Sequence, residues 1–255
     1  MAQPIVLISA AMAVPSGFYR PLVESFEARG WEAKALPTRG FERGEAPASR
    51  HHDWSYEDVI DDIADAVAKA RADDPDRPVI LLGHSLGSQA GAGHEIHRTP
   101  SDGFVTVGAS VPDYRFYPHR GVHVLALGTS VPIATRLFGH LPKPMFGGPG
   151  ARTLMREWAR FVRTGKPPFA VPHRITTPSL VVQIQGDTYA VSAANKRFVE
   201  LFIDPKALTR WVYTKASAPE GGVVHHLTWA KNPDVVVDKI IDWWVSLDGT
   251  APRSS

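Results

Sequence analysis

The feature that most constrains this chain is a short apolar run that ends in a serine between two glycines. Val79-Ile80-Leu81-Leu82 leads into Gly83-His84-Ser85-Leu86-Gly87, and then into the small residues Ser88-Gln89-Ala90-Gly91-Ala92-Gly93. The run reads as a buried strand and the small-residue segment as a helix, so the pentapeptide between them must be a sharp strand-to-helix turn. Such a turn forces the serine into a strained backbone conformation for which only flanking glycines leave room. It also presents the hydroxyl at a helix N-terminus, where the helix dipole and the Leu86 N–H can stabilise a developing oxyanion. A bare G-x-S-x-G is a weak pattern. With a strand before it and a helix after it, it marks Ser85 as the candidate nucleophile.

The rest of the chain repeats the same rhythm, alternating short apolar runs with segments of helical period, which predicts βα units around a mostly parallel sheet. Strands are expected at Ile5 to Ser9, Glu32 to Leu36, Val79 to Gly83, Phe104 to Gly108, Leu180 to Gln185 and Leu208 to Tyr213. Between the second and third, Ser55 and Asp58 form a capping-box start for a helix carrying Val59, Ile60, Ile63, Val67 and Ala70 on one face. A final helix is expected from Asn232-Pro233, with Val236, Ile240, Trp243 and Trp244 closing one side of the sheet. The stretch from Val111 to Thr177 breaks the rhythm, with Pro142, Pro144, Gly147, Gly148, Pro149 and Gly150 between helices near Val124 to Leu137 and Arg152 to Arg163. It is the one candidate subdomain, a helical cap over 111–177 inserted into a core of 1–110 and 178–255.

A serine hydroxyl needs a histidine base, and the histidine needs an acceptor to hold its tautomer. Where a nucleophile sits on such a turn, the partners follow it in the order acid, then histidine. The strand from Leu180 ends at Gly186-Asp187, which puts a carboxylate at the carboxyl edge of the sheet. Asp187 is the expected acid, with Asp113 as the competitor after the Phe104 strand. The loop after the last strand, Gly221-Gly222-Val223-Val224-His225-His226, offers two adjacent histidines, and His226 is preferred with His225 as the alternative. His94 and His97, and the run His51-His52-Asp53, match no recognised metal signature, so no metal is expected.

Composition narrows the remaining classes. With 44% apolar residues over 255 positions, the chain can build one substantial core. The 28 Lys and Arg nearly balance the 26 Asp and Glu, which is not the charge of a nucleic-acid binder. Cysteine is absent, so no disulfide or thiolate chemistry is open to the chain. No uninterrupted run of about 18 apolar residues occurs, and no integral membrane contact is expected. Ile5 to Val14 has the length of a signal-peptide core and Ala11-Met12-Ala13 resembles a cleavage site. No positive segment precedes it, however, and removing it would delete a strand, so a cytoplasmic location is expected.

Gly17-Phe18-Tyr19-Arg20-Pro21-Leu22, Arg39-Gly40, Asp53-Trp54, Gly83-His84-Ser85-Leu86-Gly87 and Glu157-Trp158-Ala159-Arg160-Phe161 carry a resemblance over essentially the whole length. The chain resembles the α/β-hydrolase superfamily, and within it the bacterial predicted serine hydrolases of the serine aminopeptidase and lysophospholipase-like branch. The resemblance implies an α/β sheet flanked by helices. It favours His226 over His225 through the spacing to Asn232-Pro233, and it places the second oxyanion-hole N–H near Met12. Three departures stand out: Ala10-Ala11 replaces the usual His-Gly, Pro37 replaces a frequent aspartate, and the usual N-terminal hairpin is missing. About six strands are therefore expected, with an edge that needs cover.

Together these readings predict a serine hydrolase that cleaves a carboxylic ester or thioester through Ser85, Asp187 and His226, without a cofactor. An acyltransferase or cyclase with the same triad, and a binding protein that keeps the fold without turnover, are the alternatives. Between Val111 and Thr177 ten basic residues face two acids, Asp113 and Glu157. In the helix near Arg152 to Arg163 the arginines share one face, while Leu154, Trp158 and Phe161 share another. Trp158 and Phe161 are expected to line an acyl pocket. The expected partner is a small-molecule acyl substrate, free or linked to a carrier such as coenzyme A or an acyl carrier protein. The arginines read first as a solvated basic face and, alternatively, as a site that attracts such an anionic carrier or an acidic membrane surface.

Overall fold

The computed structural model describes residues 3–143, 148–219 and 222–248. Pro144, Gly147 and Gly221, singled out above, lie outside the described residues. Six strands form one sheet: β1 (Ile5–Ser9), β2 (Glu32–Ala35), β3 (Val79–His84), β4 (Gly103–Val107), β5 (Ser179–Ile184) and β6 (Leu208–Tyr213). Their order is β2-β1-β3-β4-β5-β6, and every pairing is parallel. Strands β1, β3 and β4 are buried along their whole length, as expected of parallel strands covered on both faces. The edge at β2 is only four residues long and turns Glu32 and Lys34 outward, which blunts it against further pairing.

Seven α-helices accompany the sheet among the described residues: α1 (Arg20–Glu27), α2 (Tyr56–Asp73), α3 (Leu86–His97), α4 (Val122–Phe138), α5 (Arg152–Thr164), α6 (Ser192–Phe202) and α7 (Asp234–Asp248). Side-chain alternation sorts them into two layers. On one face Val6, Ile8, Ile80, Leu82 and Val105 pack with Leu22 and Phe26 of α1 and with Val236, Val237 and Ile240 of α7. On the other, Leu7, Leu81 and Phe104 pack with Ile60 and Ile63 of α2, Ala90 and Ile96 of α3, and Phe198 and Phe202 of α6. The capping box at Ser55 and Asp58 is formed. The carbonyl of Pro233 accepts from Val237, so α7 begins one residue later than its Asn-Pro signal predicts.

The two helices between β4 and β5 pack on each other. At Gly128 a Cβ would lie 2.8 Å from Val162, so a glycine is what lets α4 approach α5 this closely. The insertion is anchored to the loop before α2 by reciprocal capping. Asp53 accepts from the N–H and hydroxyl of Thr153 at the start of α5 (2.9 and 2.7 Å), and Glu157 accepts from the Tyr56 N–H at the start of α2 (2.8 Å).

One apolar segment bears on the membrane expectation. The segment His119–Phe138 is long and apolar enough to cross a bilayer by length and composition, and only 22% of that window is buried. Single polar residues such as His123, Thr129 and Ser130 interrupt the run without lowering its average enough, so a search for an unbroken apolar stretch passes over it.

The chain runs from β1 outward to β2, then crosses back to β3 on the other side of β1. In such sheets the reversal of strand order opens a crevice at the carboxyl ends of the two strands. The loops that follow β1 and β3, carrying Met12 and Ser85, therefore meet there.

Candidate active site

Ser85 sits between β3 and α3 at φ 53° and ψ −110°, a conformation that costs a non-glycine residue energy. The surroundings explain why glycines flank it. A Cβ on Gly83 would fall 2.6 Å from the Gly87 carbonyl oxygen, and one on Gly87 would fall 2.1 Å from the Ser9 carbonyl oxygen. The elbow is held by the Ser85 N–H donating to the Val107 carbonyl (3.0 Å) and by the Ser88 hydroxyl donating to the Gly83 carbonyl (2.7 Å).

His226 Nε2 lies 2.9 Å from Ser85 Oγ, and its Nδ1 lies 2.6 Å from Asp187 Oδ2. The carboxylate fixes the tautomer: Nδ1–H donates to Asp187, which leaves Nε2 free to accept the serine proton. The other oxygen of Asp187 accepts from the N–H groups of Tyr189 (2.8 Å) and Ala190 (2.9 Å). Burial pushes the Asp187 carboxyl up, but the hydrogen bond and charge of His226 and these two amides outweigh it, and its pKa lies below the ordinary value. The Tyr189 ring stacks on His226 at 5.1 Å between centroids, and Gly108, at φ 61°, leaves room for the imidazole where a Cβ would lie 3.0 Å from it.

The two rivals of these residues lie elsewhere. His225 is exposed, and its Nδ1 accepts from the Leu227 N–H at 3.3 Å. Asp113 is spent on the guanidinium of Arg115 and on the Arg115 N–H (3.0 Å). His97 Nε2–H donates to the Ala170 carbonyl (2.7 Å). Among the described residues no group of three or more His, Asp or Glu side chains is placed to hold a metal ion.

Ser85 and His226 open into a cleft of about 730 Å³ that Met12, Leu86, Gln89, Tyr117, Trp158 and Tyr189 help to line. The N–H groups of Met12 and Leu86 have no acceptor among the described residues, so both remain available to an oxygen in the cleft. Trp158 reaches the cleft, but Phe161 does not. It lies almost a turn further along α5 and is completely buried in the cluster that holds Ile60, Phe104 and Ile175. Trp158→Ala is thus expected to raise KM several-fold, with a smaller loss of melting temperature than Phe161→Ala, because Trp158 is only partly buried against the cluster of Leu154 and Met155. Phe161→Ala should cost about 3–5 kcal/mol of stability. Thermal melts and steady-state kinetics on the pair check this, and equal effects on KM would refute the assignment.

Sequence reasoning passed over His84, the variable residue inside the pentapeptide. The Ala11 N–H donates to Tyr19 Oη (2.8 Å), so the Tyr19 hydroxyl is left to donate to His84 Nδ1 (2.7 Å), and His84 Nε2–H to donate to the His226 carbonyl (2.7 Å). Trp229 Nε1 also approaches Nε2, at 3.2 Å, but the shorter carbonyl contact decides the tautomer. One buried imidazole thereby ties the loop of Met12 to the backbone of His226. Its signal in the sequence is the pairing of a polar ring in the elbow with Tyr19 in the segment after β1.

Burial lowers the His84 pKa to about 3 and that of His94 to about 4, so both are neutral in the folded protein. In the unfolded chain they titrate near 6.5, so between about pH 4 and 6.5 the unfolded state binds two more protons and stability falls as pH falls. We expect a loss of about 4 kcal/mol between pH 8 and pH 5 from these two groups. Urea unfolding across that range measures it; a loss of half that size would show that one of them is protonated in the folded state, and a flat profile that both are.

A family model described as serine aminopeptidase, S33, matches residues 2–138. No curated protein matches the sequence. Similar solved structures include a soluble variant of the monoglyceride lipase of Saccharomyces cerevisiae, with a TM-score of 0.68 and 12% identity over 96% of this chain and 87% of that one. The metagenome-derived lipolytic enzymes LipS and LipT supply another, at 0.66 and 12% identity over 95% and 93%. The monoacylglycerol lipase of Paleococcus ferrophilus is similar at 0.63 and 16% identity over 96% of both chains. At such identities the likeness is one of fold.

Proposed function

Because the chain belongs to the serine aminopeptidase S33 family of α/β-hydrolases, we propose that it hydrolyses a carboxylic ester or thioester through an acyl-enzyme on Ser85. The observation that carries this reading is the hydrogen-bonded line from Ser85 Oγ to His226 Nε2 (2.9 Å) and from His226 Nδ1 to Asp187 (2.6 Å), at the foot of a large and mostly apolar cleft. His226 takes the hydroxyl proton as Ser85 Oγ attacks the carbonyl carbon, and Asp187 stabilises the imidazolium. The oxyanion is held by the N–H groups of Leu86 and Met12. His226 then gives the proton to the leaving alcohol or thiol, water attacks the acyl-enzyme with His226 as base, and the free acid departs.

Ester rather than peptide chemistry is favoured by what lines the cleft. Removing an N-terminal residue requires an anion to hold the substrate ammonium. Among the described residues the cleft wall carries no Asp or Glu side chain, offering instead Leu86, Val124, Leu127, Trp158 and Leu227. A fluorophosphonate probe, a short-chain nitrophenyl ester, a thioester and an aminoacyl anilide together test the proposal. Labelling at Ser85 with turnover of the ester or thioester supports it. Labelling with no hydrolysis would favour acyl transfer to another acceptor, absence of labelling would favour a binding protein on this fold, and preference for the anilide would restore peptidase chemistry.

A further inference from the structure

The helix α4 presents large apolar side chains to solvent along its outer face. Val122, Ile133, Leu137 and Phe138 are 64%, 63%, 65% and 54% exposed, half of the large exposed apolar residues described. Ala126 and Thr129, also exposed, continue the line between them, so positions 122, 126, 129, 133 and 137 follow the helical period over about 22 Å. A contiguous apolar stripe of this length is unusual on a protein surface with no partner. The opposite side of the helix is occupied: Gly128, Val131 and Thr135 are buried, and His123, Val124 and Leu127 border the cleft.

The stripe is framed by cations. Arg120 precedes α4, Arg136 lies within it, Arg156 reaches its Thr135 hydroxyl (2.8 Å) and Arg50 reaches its Leu137 carbonyl (3.4 Å). Arg160 is exposed on the adjoining α5. None of these five forms an ion pair among the described residues, and the only acid from 114 to 174, Glu157, is turned inward onto the Tyr56 N–H. A second copy of this chain is a poor occupant, because self-pairing would bring these like charges together. An acidic protein is a poor fit as well, since the face is a single convex helix whose exposed large residues include neither Trp nor Tyr to anchor it.

From the apolar stripe and its arginine border we propose that the outer face of α4 docks on an anionic phospholipid surface, with the helix lying in the interface and the arginines on lipid phosphates. The helix lies on the membrane and does not span it. Its inner face stays packed on α5, and Gly121 and Gly139 hold its ends against Tyr114 and Arg50. Aliphatic side chains enter the headgroup boundary while each arginine adds an electrostatic increment. Docking does not depend on turnover at Ser85, so it is measured separately.

The test is co-sedimentation of the full chain with vesicles of phosphatidylcholine containing about 30% phosphatidylglycerol, or of phosphatidylcholine alone. Binding to the anionic vesicles is expected to exceed binding to the neutral ones by at least about tenfold, and to weaken in about 0.5 M salt. Ile133→Asp with Leu137→Asp, and separately Arg120→Glu with Arg136→Glu, should each lower it by about tenfold or more. Both pairs should leave the melting temperature and the hydrolysis of a soluble short ester unchanged. Equal binding to both vesicle types, or wild-type binding by the double aspartate variant, would overturn the proposal. So would a dimer in light scattering that Ile133→Asp dissociates, which would assign the stripe to a second copy, or retention by an acidic acyl carrier protein without binding to vesicles.

Discussion

Ser85→Ala is expected to lower ester turnover on the order of 10⁴-fold or more and to abolish fluorophosphonate labelling, while the fold survives. Alanine keeps the Cβ that the elbow already accommodates at φ 53°, so no new strain is introduced. The Ser85 N–H bond to the Val107 carbonyl is a backbone contact and is retained. What disappears is the nucleophile, leaving only the cleft and the N–H groups of Leu86 and Met12 to act on a bound ester. A factor of 10⁴ corresponds to about 5.5 kcal/mol of transition-state stabilisation. Circular dichroism and a melt verify the fold, and turnover within tenfold of wild type would remove Ser85 from the mechanism.

The second large effect separates neighbours in sequence. His226→Ala is expected to cost on the order of 10⁴-fold in kcat, because it removes the base, whereas His225→Ala should change kcat by less than about threefold. His226 is buried between Ser85, Asp187 and Tyr189, while His225 is exposed and bonded only locally. The acids should divide in the same way. Asp187→Asn leaves the imidazole without its tautomer-fixing acceptor and should lower kcat by on the order of 10⁴-fold. Asp113→Asn weakens a pairing with Arg115 away from the cleft, so its main cost should be in stability. Single-turnover kinetics on the four variants decide the matter, and the reverse ranking in either pair would move the role to the other residue.

Much of this arrangement was legible in the sequence because it rests on local, repeated signals. Strand and helix periods located six strands along the chain, and the glycine-flanked serine named its own turn because backbone atoms of Ser9 and Gly87 leave no room there for a Cβ. The expected and observed starts of α2 coincide because a capping box is a contact between residues three apart. Where the reading rested on a helix face alone it went astray. Trp158 and Phe161 share a face of α5, yet one meets the cleft and the other the sheet, since helical period gives direction around an axis and says nothing of what lies opposite each turn.

By itself the sequence determined the parallel α/β architecture and the strand-to-helix elbow at Ser85, which follow from residue spacing and backbone sterics, while the order of an acid followed by a histidine came from the pattern of the fold class. Only the tertiary structure decided which histidine faces Ser85. His225 and His226 are adjacent and chemically identical, and the choice comes from groups far away in the chain: Asp187 on the ring, Tyr189 against its face, and His84 on its backbone carbonyl. The structure also decided that Asp113 belongs to Arg115 and that the outer face of α4 has no covering element among the described residues. The choice of histidine and the bare face of α4 are matters of which surfaces meet in three dimensions, and hydrogen bonds between residues 39 and 142 positions apart leave no periodic trace along a single chain.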